Sequence, residues 1–350
     1  MGYKLDKSDF QNLVDNLKKH YLIYAPKNFK GTGTFSDTDI VRYDYISNID
    51  DIEFNKKSNY SFKESILPIT QTLFYFTEDE IKEANIEREK TALIFLRSCD
   101  LHAIKRLDQI YLKNGFEDYY YKRLRENIKF ALIGCSESFD NCFCVSMNSN
   151  KCDEYDFALN IRDNYFEIDC KSEEFKSLFK EYKESDIEID YVRENDIKVE
   201  VAEDLSLDVY KSKMWDEYDT RCINCGRCNF VCPTCTCFTM QDIFYTDNGK
   251  VGERRRVHAS CMVDEYTDVA GGGAYRKKNG ERMRFKVMHK VFDYKKRNGY
   301  TMCVGCGRCD DACPEYISYS NCINKLKDAM KEVSKWVVMN TYLFCLKYSI

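Results

Sequence analysis

The residues best able to do chemistry in this chain are cysteines, and they come in runs. One run is Cys222, Cys225, Cys228 and Cys232, followed by Pro233; the other is Cys303, Cys306, Cys309 and Cys313, followed by Pro314. In each, two residues separate the first three cysteines and three precede the last, the C-x2-C-x2-C-x3-C-P spacing that holds [4Fe-4S] clusters. Three thiolates so spaced can wrap one corner of a cubane, and Gly226 and Gly307 admit the backbone conformations that tight wrapping needs. The fourth cysteine points away and, in two-cluster proteins of this kind, ligates the other cluster. The expected sets are therefore Cys222, Cys225, Cys228 and Cys313 for one cluster, and Cys303, Cys306, Cys309 and Cys232 for the other. Two zinc sites built from C-x2-C halves would have no use for a third evenly spaced cysteine and a Cys-Pro, repeated in full.

A second group lies earlier. Cys99, Asp100 and His102 follow an apolar run at 91–96, and Cys135, Cys142 and Cys144 follow another at 130–133. Short apolar runs fit buried strands, and residues 101–112 between them carry apolar side chains at helical spacing. Neighbouring parallel strands would bring Cys99 and Cys135 to one sheet edge, beyond the strand C-termini, where such sheets place ligands. Two readings stand: a third [4Fe-4S] cluster on Cys99, Cys135, Cys142 and Cys144, or reduced cysteines lining a loop with His102 satisfied by a hydrogen bond. Cys235, Cys237 and Cys261 lie between the two runs; they either tune a cluster, serve as alternate ligands, or are free buried thiols, the commonest state of such residues. Cys152, Cys170, Cys322 and Cys345 fall outside any ligand spacing and read as small core or surface residues.

These groups need elements to position them. Residues 1–210 read as an α+β or α/β domain, with a hairpin over 157–168 and further strands at 187–189 and 197–201. Near residue 214 the composition shifts toward Cys, Gly, Arg and polar residues. Residues 211–330 then read as a mainly helical domain holding two [4Fe-4S] clusters, organised by metal more than by a large apolar core. About seventy residues separate the two runs. That gap resembles the α-helical ferredoxins, in which helices fill it and the clusters bridge protein partners. Residues 331–350 read as a C-terminal docking helix; the apolar run at 336–350 is too short to span a bilayer and carries Asn340 and Lys347.

The bulk numbers exclude several classes. A 350-residue chain with 44% apolar and 32% charged residues has material for a sizeable core, and a net charge of −5 gives no basic footprint for nucleic acid. The 19 cysteines are odd in number and tightly clustered, and the charged, amphipathic N-terminus lacks the apolar core of a signal peptide. Metal or redox use in a cytoplasmic protein is expected, rather than a disulfide framework. No complete G-x-G-x-x-G follows a strand: Gly31-x-Gly33 lacks its third glycine, and Gly271, Gly272 and Gly273 lie in a polar loop. His258 and His289 stand among Arg and Lys and read as solvated. The paired cysteine spacings of sirohaem enzymes occur only within the ferredoxin-type runs, so nothing here supplies substrate chemistry.

Several further runs carry a family resemblance. They are Cys99-Asp-Leu-His-Ala103, Cys142-Phe-Cys-Val-Ser-Met147, Cys232-Pro-Thr-Cys-Thr-Cys237, Arg256-Val-His-Ala-Ser-Cys261, and the second cysteine run with Arg282, Arg284, His289 and Lys290 before it. Together they span about residues 97–317 and resemble the iron–sulfur (A-type) subunit of anaerobic sulfite reductase, whose relative is the beta subunit of sulfhydrogenase-type [NiFe] hydrogenases. The resemblance implies an iron–sulfur subunit relaying electrons from a flavin- and NAD(P)H-oxidising partner. The acceptor would be a sirohaem subunit that reduces sulfite to sulfide or, alternatively, a [NiFe] module. The N-terminal cysteines of the family suggest the third cluster. Where the hydrogenase relatives tend to have Trp-Asp before the Ser-Cys at 260–261, this chain has His258-Ala259, which tilts the expectation toward the sulfite enzyme.

Overall fold

The computed structural model describes residues 2–33, 37–85 and 88–347, the side chains of 336–347 excepted. The chain opens with strand β1 (Gly2–Asp6), helix α1 (Lys7–His20), β2 (Tyr21–Phe29) and β3 (Ile40–Tyr45). After β4 (Thr70–Phe76) and β5 (Ile81–Glu83) come β6 (Thr91–Leu96), α2 (Ser98–Tyr111), α3 (Tyr119–Glu126) and β7 (Ile128–Ile133). Strands β8 (Phe157–Ile161) and β9 (Tyr165–Cys170), helix α4 (Glu173–Phe179) and β10 (Lys183–Ser185) complete this part.

Eight of these strands form one sheet in the order β10-β1-β9-β8-β7-β6-β2-β3. Its centre is parallel, β2 to β6 to β7 to β8, and its flanks are antiparallel. The central strands read as unbroken apolar runs because both of their faces are covered. Leu93 and Phe95 face the layer of α1, whose Phe10, Leu13, Val14 and Leu17 recur at helical spacing. Ala92, Ile94 and Leu96 face Leu101, Ile104 and Leu107 of α2. The strand–helix–strand unit at 91–133 and the hairpin over 157–168 are both present.

The strands expected at 187–189 and 197–201 are absent; the chain there is irregular and extended. Its backbone bonds go to side chains and a loop instead of a ladder. Asp190 N–H donates to Asn160 Oδ1, Val199 N–H to Ser146 Oγ and Glu200 N–H to Asn324 Oδ1, while the Asp190 carbonyl receives Cys135 N–H. Alternating apolar residues thus mark a segment seated on the core without sheet partners.

The second half contains α5 (Glu217–Arg221), α6 (Arg227–Phe230), strands β11 (Phe238–Phe244) and β12 (Gly252–His258), and α7 (Asn279–Met288). A π-helical turn (His289–Asp293) leads into α8 (Tyr294–Asn298), followed by α9 (Arg308–Asp311) and α10 (Tyr319–Lys347). The mainly helical expectation is corrected here, because much of the gap between the cysteine runs is a β-hairpin. Strand β12 pairs with β11 on one side and with β4 on the other, giving a four-stranded sheet β11-β12-β4-β5 to which both halves contribute. Arg254, Arg255 and Arg256 conceal the strand from a reading by hydrophobicity, since their charges are met by Asp242 across the sheet, by Glu253 on the same strand and by Asp118 at the start of α3.

The region around the second half has a substantial apolar core. Trp215, Tyr218, Met262, Met283, Val287, Ile323 and Leu326 pack there, together with Phe143 and Met147 from the first half. Residues 331–347 continue α10 rather than forming a separate helix, and the docking expected of the chain end falls on side chains outside the described residues, as does Cys345.

Candidate metal centre

The two cysteine runs adopt one local geometry. Each bends through a residue with positive φ before its second cysteine, Asn224 at 58° and Gly305 at 63°, and through Gly226 and Gly307 after it, both at 71°. Those glycines start α6 and α9, which carry Cys228 and Cys309. Left-handed backbone favours Gly and tolerates Asn. Gly305 has a further constraint: a Cβ there would stand 2.5 Å from the Phe143 carbonyl oxygen.

The thiols surround three small cavities. The outer one is lined by Cys222, Cys225, Cys228 and Cys313, with Cys309 on its wall. Lining the middle one are Cys232, Cys303, Cys306 and Cys309, with Cys228 on its wall. The N-terminal one is lined by Cys99, Cys135, Cys142 and Cys144, with Cys306 on its wall. Every cysteine of the three expected sets therefore faces the cavity of its set, and the fourth cysteine of each run crosses to the other run. Shared walls put the cavities in a row: Cys228 and Cys309 separate outer from middle, and Cys306 separates middle from N-terminal.

The donor chemistry of these cavities fits cubane clusters. Among the described residues no three His, Cys, Asp or Glu side chains converge on a point where one metal ion could sit. A tetrahedral zinc needs four ligands within about 2.3 Å of one centre. Four thiols spread around a space suit a cluster in which each sulfur binds a different iron. Tyr319 adds a second sign: it lines both the outer and middle cavities, and its hydroxyl is buried with no hydrogen-bond partner among the described residues. A buried donor without an acceptor is costly, and cluster sulfur would supply one.

Burial makes most of these thiols reluctant to ionise by themselves. Burial pushes Cys303 up to about 12 and Cys306, Cys142 and Cys144 up to about 11. Cys232 is the exception: a hydrogen bond with Cys235, and then the Lys290 ammonium, hold it well below the usual thiol value despite its burial. Lys290 Nζ lies 3.4 Å from Cys232 Sγ and donates to Thr234 Oγ1 at 2.7 Å. Burial opposes the charge on Lys290 and on Lys286, yet the surrounding thiols raise the basicity of both.

The N-terminal cavity is closed by long-range contacts. Phe143 N–H donates to the Gly305 carbonyl at 2.8 Å and Ser149 Oγ to the Val304 carbonyl at 2.6 Å, tying the 142–149 loop to the second run. Asn195, buried, accepts from Val145 N–H at 2.8 Å and lies 3.7 Å from Cys144 Sγ. Arg308 makes a two-pronged ion pair with Asp100, at 2.7 and 2.9 Å, and bonds Ser58 as well; both charged groups are buried.

Some expected participants stand elsewhere. Asp100 is taken by Arg308. His102 contacts the Lys151 carbonyl at 2.7 Å and does not line the cavity. Cys235, Cys237 and Cys261 line none of the three cavities; Asn229 Nδ2 donates to Cys261 at 3.1 Å and Lys63 Nζ to the Cys235 carbonyl at 3.0 Å. Cys152, Cys170 and Cys322 are buried in the core. His258 and His289 are half-buried rather than solvated, and His289 stacks on Phe285. Lys286, Lys290, Tyr319 and Arg308 were not anticipated as part of the centre. The four-residue spacing of the lysines and the repeated Gly-Arg before Cys228 and Cys309 were the signals available.

Comparison with known proteins agrees with this chemistry. No solved structure matches the chain. Along nearly its whole length the chain is similar to sulfhydrogenase 2 subunit beta of Pyrococcus furiosus, with 27% identity over 347 residues, 93% of this chain and 98% of the relative. That similarity favours the hydrogenase alternative over the expected sulfite reductase assignment. Residues 221–317 match the family model of a 4Fe-4S dicluster domain.

Proposed function

We propose that this chain is the electron-transfer subunit of a heteromeric oxidoreductase, of the kind represented by the beta subunit of a sulfhydrogenase. One [4Fe-4S] cluster would rest on Cys222, Cys225, Cys228 and Cys313, a second on Cys303, Cys306, Cys309 and Cys232, and a third on Cys99, Cys135, Cys142 and Cys144. The observation that carries this reading is the row of three thiol-lined cavities with shared walls. Adjacent clusters held this way pass electrons serially, and the row ends at a surface where Cys225 and Ile223 are exposed. Partners on either side would be a flavin subunit that oxidises NAD(P)H and a [NiFe] module, in the cytoplasm. Among the described residues no helix is long and apolar enough to cross a membrane. Residues 1–210 and 211–330 serve as the two domains of this relay, joined by the shared four-stranded sheet.

The test is iron and acid-labile sulfide per chain, on protein purified without oxygen, with EPR after reduction. About twelve irons are expected; about eight would leave only the two clusters of the cysteine runs, and none would defeat the reading. A second reading, the corresponding subunit of an anaerobic sulfite reductase, is favoured by His258-Ala259 in place of Trp-Asp. Nickel in the co-purifying complex supports the hydrogenase; sirohaem supports the sulfite enzyme.

A further inference from the structure

The three cavities differ in the charges that face them. Lys286 and Lys290, one turn apart where α7 runs into the π-helical turn, are both buried and both line the middle cavity. Lys286 also lines the outer cavity and stands 5.0 Å over the ring of Tyr319. Among the described residues, neither lysine forms an ion pair with a carboxylate; the partners of Lys290 are Thr234 and the Cys232 sulfur. A third buried lysine, Lys63, reaches the carbonyls of Asn229 and Cys235 from the same side. One carboxylate, Asp310, touches Cys309 at 3.4 Å, but it is engaged by Tyr319 N–H and the hydroxyls of Ser318 and Ser320.

The neighbours are differently equipped. At the N-terminal cavity Arg308 is neutralised by Asp100 and Lys57 by Asp311; Arg97 bonds the carbonyls of Gly134 and Phe54 and reaches Cys135 Sγ at 3.6 Å, and the carboxylate of Glu137 is in the same lining. The outer cavity shares Lys286 but also has a carboxylate on its lining, the exposed Glu315 at the rim. Only the middle cavity has two buried ammonium groups and no carboxylate lining it.

Buried cations without counter-charges are expensive unless a negative group compensates them. Each lysine therefore gains most from a neighbour that becomes more negative, which is what a cluster does on reduction. We propose that Lys286 and Lys290, helped by the Tyr319 hydroxyl, make the middle site the most easily reduced of the three, so that it takes and holds the first electron. This rests on the cluster reading above. The lysines bias the relay toward its centre, and transfer onward to the exposed outer site is the uphill step.

The experiment is an EPR-monitored redox titration of the full chain purified without oxygen. Cys303→Ser marks the middle site: the signal with the highest midpoint should be the one that this substitution alters. Lys290→Met and Lys286→Met should each move that midpoint to more negative potential and bring the order of reduction closer to level, and Lys290→Arg should restore most of the shift. Tyr319→Phe, which removes only the hydroxyl and keeps the packing, should shift it in the same direction by less, and serves if a lysine variant fails to fold. A highest-midpoint signal untouched by Cys303→Ser would overturn the inference, as would an unmoved midpoint in the lysine and tyrosine variants. Iron content separates the two levels: a chain without iron defeats the cluster reading, whereas full iron with unmoved midpoints defeats this inference alone.

Discussion

The two cysteine runs have the same spacing and the same backbone turns, yet they occupy opposite environments. In the first, Cys225 and Arg227 are exposed and the turn before Cys225 is an asparagine. In the second, Cys306 and Arg308 are buried, and the corresponding turn is Gly305, pressed against the Phe143 carbonyl. The repeated Gly-Arg is therefore a solvated arginine in one copy and the anchor of a buried ion pair in the other. Repetition of a motif fixes the thiol geometry and leaves everything around it free. Here one copy has become the surface of the molecule and the other its centre, a division suited to a relay with an inside and an outside end.

That contrast can be tested by matched substitutions. The largest effect is expected from Cys306→Ser, because metal binding is folding energy where the ligand also closes a core. Under anaerobic conditions it should lower Tm by roughly 10 °C, and Cys225→Ser by less than half of that. Equal losses would mean that both runs are equally structural. Next comes Asp100→Ala, which strands Arg308 without its counter-charge and should cost about 3–5 kcal/mol in chemical denaturation. Its counterpart, Arg227→Ala, should stay within about 0.5 kcal/mol. Gly305→Ala meets both a φ of 63° and the carbonyl at 2.5 Å, and about 2–3 kcal/mol is expected. Asn224→Ala keeps the positive φ, loses only a long contact from Arg282 and meets no carbonyl, and should cost about 1 kcal/mol.

A pH dependence tests the two half-buried histidines of the second half. Burial, reinforced by Lys63 and Arg256 for His258 and by Lys290 for His289, lowers both imidazoles from 6.5 to about 4. As pH falls through this window the unfolded chain binds protons that the folded chain does not. The folded state is therefore at full strength above pH 6.5 and loses stability progressively down to about pH 4. Replacing both histidines by Gln should flatten the urea-midpoint profile over that range; an unchanged slope would show that other groups govern it.

Much of this architecture was legible in the residues. The runs at 91–96 and 130–133 are strands because they are apolar throughout, and Asp163-Asn164 between alternating segments marks the turn of the 157–168 hairpin. Thiol spacing likewise pointed to which cysteines share a cavity, including the crossing of Cys232 and Cys313. What was not legible depends on partners distant in sequence. Strand β12 is rich in arginine and becomes a strand by pairing with β4, nearly two hundred residues earlier. Segments 187–189 and 197–201 look like strands, but their backbone groups are taken by side chains and a loop. Lys286 and Lys290 resemble any surface lysines until the fold places their helix between two rows of thiols. Composition records hydrophobicity well and records poorly the counter-charges that make a buried ion tolerable.

The crossing of the fourth cysteines also sets an order in time. Cys313 leaves the ribosome about 85 residues after Cys228, which at ~5–20 residues per second is roughly 4 to 17 s. Throughout that interval the first run is a set of thiols with no closing wall, and so is the N-terminal group, whose cavity awaits Cys306 and Arg308. None of the three cavities is complete on a nascent chain shorter than about 300 residues. Any filling of these cavities is thereby deferred until the second run has been made, when the whole row becomes available together.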